Sequence, residues 1–97
     1  SAILVDVADV NLDTLLASLK KKEFTNVKNW VVQHMDNDPS MVMRKIYDSI
    51  YSVLKPASIP EAVLIIAKYM RDIQIVPDQE VNMLACLTEI MMSCEFK

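Results

Sequence analysis

The chain contains no glycine at all. Loops that cradle phosphate need glycine, because the backbone must approach the anion closely and take left-handed angles. Neither a nucleotide loop nor a dinucleotide fingerprint can be built from these residues. Histidine and cysteine are scarce as well: one His34, and two thiols at Cys86 and Cys94. One imidazole and two sulfurs at that spacing do not make a zinc site. On a helix the two cysteine Cα atoms lie roughly 12 Å apart, beyond disulfide reach within one chain. The plain reading is two buried thiols in a reducing compartment. Long hydrophobic runs are missing too. The longest, Ala62 to Ala67, is soon followed by Lys68 and Arg71 and falls far short of the roughly 18 apolar residues of a membrane span. No basic-then-apolar signal opens the chain. The acidic residues are scattered over polar faces with no outstanding carboxylate pair, so nothing supports catalysis, and no cofactor or metal is expected. A net charge of −3 and a pI near 5.0 argue against a dedicated nucleic-acid binder held by phosphate neutralisation.

What the chain does have is apolar surface in helical register. Of its 97 residues, 53% are hydrophobic, and the mean hydropathy is +0.22. Such a length supports one domain with one modest core. Apolar surface left over once that core is filled points towards association.

Residues 1–8 read as the β-prone end of a preceding linker, and the opening Ser1 in place of Met suggests a segment cut from a longer protein. A helical domain is expected over 9–97. Leu12, Leu15, Leu16 and Leu19 form an i, i+3, i+4, i+7 stripe on a first helix that starts at Asp9 or Asn11. Lys20, Lys21 and Lys22 close it, where positive charge suits the helix dipole. The second helix, Glu23 to Met35, carries Phe24, Val27, Trp30, Val31, His34 and Met35 on one side. His34 on that apolar side reads as a packed, hydrogen-bonded histidine. Asp38-Pro39 caps the third helix, whose expected inner face is Met43, Ile46, Tyr47, Ile50, Tyr51 and Leu54. Lys55-Pro56 stops it. Ser58-Ile59-Pro60-Glu61 has the form of a capping box for the fourth. Asp78 caps the fifth, where apolar side chains cover most of the circumference and only Asn82, Glu89 and Ser93 leave a polar strip. A helix of that kind must be buried nearly all round. Five helices with short connections make an all-α bundle.

On the fourth helix the expected inner face is Ala62, Val63, Ile66, Met70 and Ile73. Leu64 then falls on the far side between Lys68 and Arg71. Leu64, with part of Met83, Cys86, Leu87 and Ile90, is therefore the candidate subunit interface, and the isolated chain is expected to form a homo-oligomer.

The order of these helices resembles the C-terminal collar domain of clamp-loader small subunits, the replication factor C family. The likeness rests on Asn11-Leu12-Asp13-Thr14-Leu15-Leu16-Ala17-Ser18-Leu19, then Lys22-Glu23-Phe24, then Val27-Lys28-Asn29-Trp30-Val31-Val32. The long third helix, the capped fourth and the apolar fifth follow in order. Leu84-Ala85-Cys86-Leu87 and Cys94-Glu95-Phe96-Lys97 look most like the bacteriophage version. Ile75-Val76-Pro77-Asp78 lacks the Gly-Ala-containing stretch usual in cellular members. The resemblance implies a non-catalytic collar of an AAA+ ATPase subunit, joined in a ring with like subunits and one different subunit. It further implies ATPase modules upstream that reach the sliding clamp and primed DNA. A cytoplasmic location, in an infected host cell, would follow. Two other readings stand beside it. One is a free-standing helical adaptor whose Met-rich groove (Met41, Met43, Met83, Met91, Met92) takes a partner helix. The other is a small acidic regulator reaching DNA through Lys20 to Lys22 and Lys28.

Overall fold

Local signals at the helix ends account for most of the architecture. The computed structural model describes residues 11–97. The linker expected at 1–8 and the earlier of the two starts for the first helix, Asp9, lie outside the described residues. Within them the chain is an all-α bundle of α1 (Asp13–Lys21), α2 (Phe24–Gln33), α3 (Pro39–Val53), α4 (Ile59–Asp72) and α5 (Gln79–Ser93), with a 3-10 turn at Pro56–Ser58.

Asp38 caps α3 as expected: its carboxylate accepts from the Ser40 N–H at 3.0 Å and the Ser40 hydroxyl at 2.8 Å, with Pro39 in the first turn. Asp78 caps α5 by accepting the Val81 N–H at 3.1 Å. Asn11 Oδ1 takes the Asp13 N–H at 2.8 Å, and α1 starts two residues after the later of its two proposed positions. At the other end of α1, Lys22 adopts a left-handed backbone with φ 59° and ψ 41°. Its N–H reaches Leu19 O, and the Glu23 N–H reaches Ser18 O. This paired closure normally recruits glycine. A chain without glycine uses lysine, at a cost of roughly 1–2 kcal/mol in backbone strain.

The capping box at Ser58 does not form. Ser58 sits in the right-handed helical region and its side chain makes no cap bond. Its N–H closes the 3-10 turn on Lys55 O. The hydroxyl instead accepts the Glu95 N–H at 2.9 Å, from 37 residues further along. The tertiary contact wins because the 3-10 turn already supplies the backbone entry into α4.

α5 is the central element, touching each of the other four helices. Its buried Met83, Cys86, Leu87, Ile90 and Met91 join one cluster with Leu15 and Leu19 of α1 and Val27, Trp30 and Val31 of α2. The same cluster takes in Val42, Met43, Ile46 and Ile50 of α3 and Ala62, Ile65 and Ile66 of α4. Most of the expected inner faces are buried, among them Val27, Trp30, Met43, Ile46, Ile50 and Ile66, with exceptions on three helices. Ile65 is buried where Val63 is only half-buried. Tyr51 of α3 is half exposed and Phe24 of α2 is 46% exposed, so neither belongs to the core. Nor is Asn82 on a polar strip; it is buried, and its amide donates to Tyr69 O at 3.1 Å.

Past Ser93 the chain leaves the helix, so the stretch to Lys97 is not helical throughout. The tail lies antiparallel to the end of α3, with an isolated bridge between Leu54 and Phe96. The Lys55 N–H donates to Glu95 O, and the Lys97 N–H to Val53 O, each at 2.9 Å.

Candidate interaction surface

Met83, Cys86, Leu87 and Ile90 are each 3% exposed or less. They fill this chain's own core and offer no side-chain surface to a neighbour, which corrects the expectation that they form an interface. Leu64 alone of that set is exposed, at 73%. The reason is the phase of α5. Its buried positions 83, 86, 87, 90 and 91 face the bundle, and the helix turns a different strip outward. That strip runs Val81, Ala85, Thr88, Met92, with Val81 62% and Met92 67% exposed.

Around this strip lies a shallow apolar depression of about 430 Å³. Phe24 of α2 and Val81, Leu84, Ala85, Thr88, Glu89, Met92 and Ser93 of α5 line it. A second hollow of about 250 Å³ continues it past Val81 and Ala85 to Asn82, Val76, Pro77 and Asp78. The outer face of α5 is therefore grooved along its length. Val81, Leu84 and Met92 were missed because a helix that is apolar nearly all round gives no phase from its sequence, and Phe24 because it was assigned to the inner face of α2, where it is 46% exposed. The signal that could have found them lies in the neighbours. Asn82 and Glu89 each have polar partners on α4, which fixes the side of α5 that faces it.

Glu89 is the one charged group in the depression. Lys68 Nζ donates to its Oε1 at 2.9 Å and Tyr69 Oη at 2.8 Å. No donor among the described residues reaches Oε2. The Lys68 bond, and after it the Tyr69 bond, hold the Glu89 carboxyl below the usual carboxylate range. Tyr69 moves the other way: burial, and then the bond to Glu89, push its phenol up to about 12. Leu64 stands one turn before Lys68 on α4 and does not line the depression.

The remaining reactive groups are held quiet. His34 stacks on Trp30 with ring centroids 4.0 Å apart. Its Nδ1 is 2.7 Å from Trp30 O, and since a carbonyl can only accept, Nδ1 carries the proton there. Both cysteines are free and buried. Burial pushes the Cys86 thiol up to about 12 and raises that of Cys94. Among the described residues no three His, Cys, Asp or Glu side chains come together as a metal site. No helix there is long and apolar enough to cross a membrane. A scan against protein-family models finds no match, and a search of curated proteins finds none either.

Proposed function

We propose that this chain is an oligomerisation module of the clamp-loader collar type, which holds like subunits together and leaves any chemistry to other parts of its assembly. One observation carries the reading: the apolar depression along α5, with Phe24, Val81 and Met92 exposed at its edges. Single exposed apolar side chains need no explanation, but a contiguous apolar groove on the central helix of a small bundle supports reading it as an association surface. The resemblance in helix order supplies the class of assembly, a ring that includes a different subunit and opens a sliding clamp for loading on primed DNA. The adaptor reading has less support, because Met43, Met83 and Met91 are buried and only Met41 and Met92 are exposed.

Light scattering at tens of micromolar tests the association. The wild-type chain is expected to exceed its monomer mass, and Val81→Glu with Met92→Glu to return it to monomer with helical circular dichroism intact. A monomeric wild type overturns the reading. The gene tests the wider part: a reading frame with no glycine-containing phosphate loop upstream of this segment removes the clamp-loader assignment.

A further inference from the structure

The outer face of α3 carries a second surface of a different kind. Met41, Arg44, Asp48 and Tyr51 recur at intervals of three and four residues, the spacing of one helical seam. Met41 and Tyr51 are exposed. Arg44 lies 5.0 Å from the Tyr47 ring centroid, and the Tyr47 and Tyr51 hydroxyls are hydrogen-bonded at 2.7 Å. Their rings meet edge to face at 5.4 Å. Arg44 spends only its Nε on Asp48, at 3.2 Å, which leaves both terminal nitrogens of its fork available. The result is an aromatic knob, Tyr51 exposed and Tyr47 half-buried against the core, with a cation at its side.

The α5 depression is the complement. It is concave and apolar, with small Ala85 and Thr88 at mid-strip and larger Val81 and Met92 at the ends. It holds one carboxylate, Glu89, and the Oε2 of that carboxylate is open to a donor. The α3 seam from Met41 to Tyr51 spans about 15 Å, and the α5 strip from Val81 to Met92 about 16 Å. Both repeat with the period that suits helix-on-helix docking. Tyrosine and arginine are also the residues that anchor interface centres.

We infer that the occupant of the α5 depression is the α3 face of a second copy of this chain, with Tyr47 and Tyr51 in the apolar part and Arg44 directed at Glu89. The inference rests on the association reading above and adds to it that the contact joins two unlike faces. Such a contact leaves one free face of each kind and so propagates into a ring or a chain of copies. A two-fold contact between two α5 strips would close at two copies.

Complementation separates these cases. Val81→Glu spoils the depression and keeps the knob; Tyr51→Glu spoils the knob and keeps the depression. Each variant alone is expected to lose self-association, with an apparent Kd raised about tenfold or more, the loss of one anchor. An equimolar mixture is expected to recover a species of dimer mass and no larger, since only one intact pair of faces remains. Sedimentation velocity on the wild type, each variant and the mixture reads all of this, with circular dichroism to check folding. If either glutamate unfolds the chain, Val81→Ser and Tyr51→Ser replace it. A wild type that associates beside a mixture that stays monomeric overturns the unlike-face contact and leaves the oligomerisation reading standing. So does Tyr51→Glu associating like the wild type. A wild type that stays monomeric overturns both.

Discussion

Ser58 makes a general point about single residues. Its spacing to Glu61 suits a capping box, yet the hydroxyl serves the tail by accepting the Glu95 N–H. The hydroxyl accepts the N–H that the tertiary fold brings within 2.9 Å, and no N–H of the first turn of α4 reaches it. Replacing it with alanine removes one hydrogen bond and leaves an amide that water can partly reach. Ser58→Ala is therefore expected to lower stability by about 0.5–1.5 kcal/mol, measured by urea denaturation. The loss should appear with faster hydrogen exchange at the Glu95 amide and no fraying at the start of α4. Fraying of α4 with an unchanged Glu95 amide would restore the capping role.

At the level of elements, helix existence and most inner faces were legible, and the phase of α5 was not. Asp38-Pro39 and Asp78 are local signals, answered within three residues, so their caps could be read without any knowledge of the fold. The rotation of a helix depends on what surrounds it, and α5 is apolar on nearly every side. Its candidate contacts therefore fell on core residues such as Leu87, and the exposed strip at Val81 and Met92 was passed over. The corner where Lys68 and Tyr69 of α4 meet Glu89 of α5 is a pH-sensitive joint of the bundle. A carboxylate with a depressed folded pKa adds stability above its unfolded value, about 4.3, and loses it as pH falls through the folded value. Tyr69 has the opposite sign. Its contribution is complete below about pH 10 and fades as pH rises through its folded pKa, about 12. Glu89→Gln is thus expected to be less stable than the wild type at pH 7, by about 0.2–1 kcal/mol for so exposed a pair. The gap should close as pH falls below about 4. Denaturation midpoints from pH 7 to pH 3 check this, and a gap that stays constant would mean that the charge of Glu89 contributes nothing.

For the molecule as a whole, the central position of α5 decides which substitutions act on folding and which on the proposed association. Every other helix meets α5, so a cavity made inside it is felt by all of them, whereas a charge on its outer strip touches none of the core. Leu87 is fully buried. Truncating a buried leucine costs about 2–5 kcal/mol through lost transfer energy and the cavity left behind. Small domains hold only about 5–15 kcal/mol in total, so Leu87→Ala should remove a large part of the stability. Two probes follow the consequence. Far-ultraviolet circular dichroism reports all the helices, and the fluorescence of Trp30, buried in α2, reports the core. In Leu87→Ala both transitions are expected at one lower midpoint, because a bundle organised on a single helix unfolds as one unit. At concentrations where the variant is folded, its association should match the wild type, since Leu87 has no outward surface. A variant that keeps its stability and loses its association would return Leu87 to the interface and displace the α5 strip.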